Sequence, residues 1–254
     1  MKLFNRIVAC LILLLGITVI GSGPITSTAV ALDEPCVSPA STLVQTTGSL
    51  SEPPPSGTVV LRIDVSARKL TIFSDGTPFR TFSVAVGKKA TSSPVGEWKI
   101  INKAVNWGDG FGTRWMGLNV PWGIYGIHGT NKPWSIGTPA SHGCIRMHNK
   151  DVELLYKWVE LGTEVQIMGP LPRKKNPPEL KKGAANQDVV QLQFLLREAG
   201  VFSGYADGRF GEITEQAVKT FQLIQEMPDN GLVDRVLWSK LWDYTEQQKQ
   251  AVNS

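Results

Sequence analysis

"SHGCIRM", Ser141 to Met147, lies within the longer run "PASHGCIRMHN" (Pro139–Asn149) and concentrates the reactive groups of this chain in a few residues. The chain has 254 residues and three histidines, His128, His142 and His148, all within or just before this run. Cys144 is the one cysteine among them. A thiol is mostly protonated at neutral pH, its reference pKa being about 8.5, and a neighbouring imidazole that takes the proton leaves a reactive thiolate. The ring then needs a third group to fix its tautomer. His142 stands two residues from Cys144, and in an extended backbone both side chains leave one face in parallel, which suits packing more than proton transfer. A ring arriving from another strand meets the sulfur better, which favours His128 as the base over His142. Gly143 lets a substrate backbone come close, and peptide N–H groups near Cys144 are candidate oxyanion donors. Two other readings stay open on residues alone. His128, His142, Cys144 and His148 are four ligand types that zinc accepts, although "HGC" does not readily aim two side chains at one ion. The plainest reading is a small buried cysteine beside surface histidines.

Upstream of the motif the pattern is that of strands. "TVVLRIDV" and "KLTIF" alternate and are β-branched, "SDGT" is a turn, and "FRTFSVAVG" places Phe82, Val84 and Val86 on one face and Phe79, Thr81, Ser83 and Ala85 on the other. "SSPVGEWKI" enters a further strand through a Pro-Gly turn. Short strands with turn signals between them predict antiparallel sheets built from hairpins. Five of the eight tryptophans fall between Trp98 and Trp134, around the Gly-rich "NWGDGFGTRWMGLNVPWGIYG" (106–126); they pack a core or line a cleft. Downstream, Asn149 is placed to cap a helix whose apolar face is Val152, Leu155, Trp158 and Val159, and "TEVQIM" closes the domain as a strand.

The two ends read differently. Lys2 and Arg6 precede the apolar run Ile7–Ile20, and small residues follow to Ala31. This is the order of a secretory leader over 1–31, or of a membrane anchor if it is not cut. Its loss lowers the net charge from +4 to +2, which does not point to nucleic acid. Residues 32–56 form a Pro/Ser/Thr-rich linker holding Cys36. An oxidising compartment permits a Cys36–Cys144 disulfide; the adopted reading leaves Cys36 an unpaired thiol of no consequence. A catalytic domain over 57–169 is followed by a basic, Pro-rich linker over 170–185. A small all-α three-helix domain over 186–244 comes next, then a polar tail over 245–254. In the helical part, Val189, Leu192, Leu196 and Ala199 share one helical face, then Ala217, Val218, Phe221 and Ile224, then Val236, Leu237 and Leu241.

"IHGT" (Ile127–Thr130), twelve intervening residues between His128 and Ser141, then "SHGCIRM", with "SSPVGEW" upstream, resembles the YkuD-type L,D-transpeptidases over about residues 58–168. The resemblance implies a mostly β catalytic fold with one helix after the motif. It implies a cysteine acyl-enzyme with Cys144 as nucleophile, His128 as general base and the Gly129 carbonyl orienting the His128 ring. Ser141, His142 and Gly143 would shape the substrate site, and Arg146 would meet a substrate carboxylate through a bidentate guanidinium. His148 has no role in it. No cofactor and no metal are expected. The partner is peptidoglycan, with stem peptides as acyl donor and acceptor; the protein is expected to be an exported monomer in the periplasm or cell wall, touching membrane only if the leader stays on. "QDVVQLQFLLREAG", "YADGRFGEITEQAVKTFQ" and "DNGLVDRVLWSKL" resemble the three-helix peptidoglycan-binding module, at Asp188, Val189, Leu192, Gln193, Asp207, Gly208, Phe210, Gly211, Thr214, Ala217, Val218, Phe221 and Gln222. The competing functions are an L,D-carboxypeptidase, in which water replaces the acceptor amine, and a wall-binding protein without catalysis.

Overall fold

The computed structural model describes residues 53–252; the leader, Cys36 and most of the first linker lie outside them. Alternation of apolar and polar residues produces the first hairpins. Strand β1 (Val59–Asp64) pairs antiparallel with β2 (Lys69–Ser74), and β2 with β3 (Thr77–Ser83). The β2–β3 turn is "SDGT" as expected: Asp75 and Gly76 have φ of 48° and 77°, the paired positive values of a type I′ hairpin turn. Strand β4 (Val86–Gly87) leads to β5 (Gly96–Val105), which pairs with β6 (Arg114–Leu118), and β6 pairs with β7 (Tyr125–His128). Then come β8 (Pro139–Ser141), β9 (Ile145–Arg146), helix α1 (Asn149–Trp158) and β10 (Glu164–Met168).

The main sheet has eight strands in the order β3-β2-β1-β10-β5-β6-β7-β9. It is mixed rather than made of hairpins alone, since β10 inserts parallel to β1, and β9 parallel to β7. The sheet curls until its edges meet: Ala85, just past β3, exchanges backbone hydrogen bonds of 2.9 Å with Arg146 of β9. Leu61, Ile63, Leu70, Ile72, Trp98, Met116, Ile127 and Ile167 fill the interior, with Val152, Leu155 and Trp158 of α1 against it. Fully burying one such aliphatic side chain contributes about 1.5–3 kcal/mol. Phe82, Val84 and Val86 face this core as predicted.

The C-terminal part holds α2 (Gln187–Glu198), α3 (Glu212–Ile224) and α4 (Arg235–Val252). Asn186 caps α2 by accepting from the amides of Asp188 (2.9 Å) and Val189 (3.1 Å). Two buried amides pin the turns between helices. Gln193 accepts from Gly208 N at 2.9 Å and donates to Asp207, Arg209 and Thr214; Gln222 accepts from Gly231 N at 2.9 Å. Ile224, expected inward, is exposed, as is the apolar Val236; each sits at a helix end, beyond the turns that pack. The 170–185 segment lies against the helices: Leu180 is buried and pairs with Val233, and Pro178 accepts from Trp238 Nε1 at 2.9 Å. Among the described residues no helix is long and apolar enough to cross a membrane.

Candidate active site

The parallel pairing of β7 with β9 sets His128 opposite Arg146 and Ile127 opposite Ile145. Side chains alternate along strands, so the face that carries His128 also carries Arg146, with Cys144 one step back beside Gly126. The Arg146 cation acts on both His128 and Cys144. The structure therefore brings His128 at the end of β7 together with Cys144 and Arg146 at β9.

His128 is buried, and its Nδ1–H donates to the Gly129 carbonyl at 2.5 Å. Its ring lies on Trp115, centroids 5.7 Å apart at 27°, and meets Phe111 edge-on at 5.0 Å; Trp115 in turn stacks with the half-exposed Trp107. Burial is the main cause that lowers the His128 pKa from 6.5 to about 4, with the Arg146 charge adding to it against backbone hydrogen bonds at Gly129 and Phe111. Burial also raises the Cys144 thiol above 9.0, against a backbone hydrogen bond at Gly126 and the Arg146 charge. Both shifts oppose the thiolate–imidazolium pair expected from the sequence. Burial disfavours both charged forms.

Ser141 is fully buried; its Oγ donates to the Cys144 carbonyl at 2.6 Å and accepts from Gly143 N at 3.0 Å. It ties the His-Gly-Cys turn from inside. Gly143 has φ 119°, and a Cβ there would stand 2.5 Å from Tyr125 Cε1. Only glycine suits this point. Because residues 142–143 bend instead of extending, the parallel exit of His142 and Cys144 does not occur, and His142 is exposed. Arg146 Nη1 donates to the Ala140 carbonyl at 3.4 Å, while its buried Nε has no hydrogen-bond partner. His148 lies at the N-cap position of α1 and makes no side-chain cap. Among the described residues no group of three or more His, Cys, Asp or Glu side chains is placed to hold a metal, so the four residues of the zinc reading do not converge. Cys144 is a free cysteine among those residues.

Asn149 corrects the helix-cap expectation. It is the first residue of α1, and its Oδ1 accepts from Thr130 N at 3.0 Å and Thr113 N at 3.4 Å. It thereby clamps the backbone on both sides of the Gly129 carbonyl that holds His128. No sequence pattern announces this, since an Asn before an acidic first turn reads as a cap. Tyr125, packed on Gly143, and Asn102, which accepts from Trp115 Nε1 at 2.9 Å, were equally silent. Of the clustered tryptophans, Trp98 and Trp115 are buried, whereas Trp107 and Trp134 are exposed.

Comparison with known proteins agrees with this geometry. Residues 58–167 match the family model described as the YkuD L,D-transpeptidase catalytic domain, and residues 185–241 match a peptidoglycan binding domain model. Bacillus subtilis YkuD, which carries the L,D-transpeptidase name, is 46% identical over 107 residues, covering 42% of this chain and 64% of its own. Bacillus subtilis YqjB, named likewise, is 34% identical over 133 residues, covering 46% of this chain and 76% of its own. The solved L,D-transpeptidase from Mycobacterium smegmatis aligns with TM-score 0.39 and 21% identity over 45% of this chain and 60% of that one. This chain thus spans just under two thirds of YkuD and about three quarters of YqjB. Because YqjB is matched at 34% identity over about three quarters of its own length, the chain belongs to the YkuD family of L,D-transpeptidases.

Proposed function

We propose that the protein is an L,D-transpeptidase that joins peptidoglycan stem peptides through a Cys144 acyl-enzyme. As the sulfur attacks the carbonyl between the L-centre of a diamino acid and the terminal D-alanine, its proton passes to His128 Nε2. The carbonyl oxygen becomes an oxyanion. Gly143 N–H is already engaged by Ser141 Oγ, so the Cys144 N–H is the proposed donor to it. Collapse breaks the C–N bond, the imidazolium protonates the leaving amine, and D-alanine departs from a thioester. An acceptor amine then attacks the thioester, gives its proton to His128, and the sulfur leaves as a thiol. One amide is broken and one made, so no nucleotide is consumed.

The observation that carries this reading is the His128–Gly129 bond, which supports the tautomer that donates from Nδ1, on a strand whose pairing sets His128 opposite Arg146, two residues past Cys144. Gly129 is thus the orienting group, Ser141 and Gly143 shape the turn, and the part-buried Arg146 guanidinium would meet a stem carboxylate. His142, being exposed, would touch substrate only at the rim. Export by the 1–31 leader, a linker over 32–56, a monomeric state and wall binding by the helical module belong to the same proposal. Intact-mass analysis after mixing with a stem tetrapeptide tests it. The expected result is a Cys144 adduct that has lost D-alanine, followed by a cross-linked dimer; a trimmed monomer alone would favour the carboxypeptidase, and equal cross-linking by Cys144→Ala would end the assignment.

A further inference from the structure

The helical module is bonded to the catalytic sheet at four points. Glu97 of β5 accepts from Arg197 of α2 through both oxygens, at 2.7 and 2.8 Å, and from Ala206 N at 2.8 Å. Gln187 donates to the Val95 carbonyl at 2.8 Å. Val190 and Ala206 are buried in the same apolar cluster as Trp98 and Ile100. The fourth point falls on the loop 119–124, which joins β6 to β7 and so delivers the strand that ends in His128.

Three contacts run from the module through that loop to the nucleophile. Arg209 Nη2 donates to the Asn119 carbonyl at 3.1 Å. Trp122 lies so close to Gly208 that a Cβ there would be 2.4 Å from its Cζ3, and its other neighbour is Trp98, edge-on at 5.4 Å. Next along the chain, the Tyr125 ring is held between two glycines: a Cβ on Gly123 would stand 2.9 Å from Cε2, and one on Gly143 2.5 Å from Cε1. Gly143 precedes Cys144. These contacts link the helical module, through the loop backbone at Trp122 and Gly123, to the turn that presents the sulfur.

We propose that the helical module is a fixed buttress of the catalytic centre, with Arg209 and Trp122 as positioning residues that hold Tyr125 against the Gly143–Cys144 turn. This rests on the reading of Cys144 as nucleophile. It assigns the module a part in the chemical step, separate from any grip on the wall. Arg209 is about half exposed and touches neither His128 nor Cys144, so its loss removes a support and none of the reacting groups.

The test uses the full chain with Arg209→Ala and, as a second variant that keeps an aromatic ring, Trp122→Phe. Three quantities are followed: acylation by a stem tetrapeptide, alkylation of Cys144 by iodoacetamide read by peptide mapping, and the circular dichroism spectrum. Losing one backbone-directed hydrogen bond predicts about a fivefold fall in the maximal acylation rate, with KM little changed. Alkylation should rise, because a loosened turn exposes the sulfur, while the spectrum stays the same. Acylation and alkylation rates equal to those of the parent in both variants would overturn the proposal. A parent that the tetrapeptide never acylates, combined with faster alkylation in the variants, would sink the transpeptidase reading and leave the buttress standing.

Discussion

Acidification should destabilise this protein in a window set by one ring. Burial moves the His128 pKa from 6.5 to about 4, and at about 1.4 kcal/mol per pH unit this amounts to roughly 3 kcal/mol. The direction follows from proton uptake. Between the two values the unfolded chain binds a proton that the native ring refuses, so native stability falls as pH drops from about 6.5 towards 4, and is flat in this respect above 6.5. A second group is separable. Burial alone would raise the Glu97 carboxyl, but hydrogen bonds from Arg197 and the Ala206 amide, with the Arg197 charge, outweigh it and leave the pKa below 4.5. Its contribution is complete above 4.5 and lost only as pH falls further, through the folded value. Denaturant unfolding between pH 7 and 5 therefore isolates His128, and His128→Gln should flatten the slope there. In the acylation assay the acid limb should lie near pH 4. A limb near 6.5, or equal stability slopes in parent and variant, would refute the account of a buried neutral ring.

Three further outcomes follow from the same geometry. Gly143→Ala adds a side chain at a positive φ and against Tyr125, which should cost at least about 2 kcal/mol; adding Tyr125→Ala should recover the steric part and not the backbone part in a double-mutant unfolding cycle. Asn149→Ala strands the Thr113 and Thr130 amides at a cost of about 1–3 kcal/mol and slows acylation, while Asn149→Asp, which keeps the acceptor, should restore most of the stability. Because the Cys144 thiol is raised above 9.0, its alkylation by iodoacetamide should climb through pH 9; a plateau below neutral pH would reveal a thiolate–imidazolium pair instead.

Much of this fold is legible from local pattern. Alternation along "TVVLRIDV" and "KLTIF" reports which side chains turn inward, and Asp75-Gly76 reports its own turn because few residues accept two successive positive φ values. Local pattern does not report neighbours. Strand β10 lies more than ninety residues from β1 in sequence and still pairs parallel with it, and that choice is made by closure of the curled sheet, not by any period in the residues. The same limit hides the Glu97–Arg197 bond, each partner of which reads alone as an ordinary surface charge. It also hides Asn149, whose side chain serves two amides 19 and 36 residues upstream. The protonation state of the site is the sharpest case. Residue types predict that imidazole will strip a thiol, yet Trp115, Phe111 and the strand packing that aim the ring also dry it, and a dry ring holds a proton poorly. The groups that confer geometry thus oppose a resting ion pair, and in the proposed mechanism the proton moves as the carbon–sulfur bond forms. For such a site, accuracy of placement replaces a standing charge as the source of reactivity, which is why small supports such as Ser141, Asn149 and Tyr125 should weigh in the rate as well as in the fold.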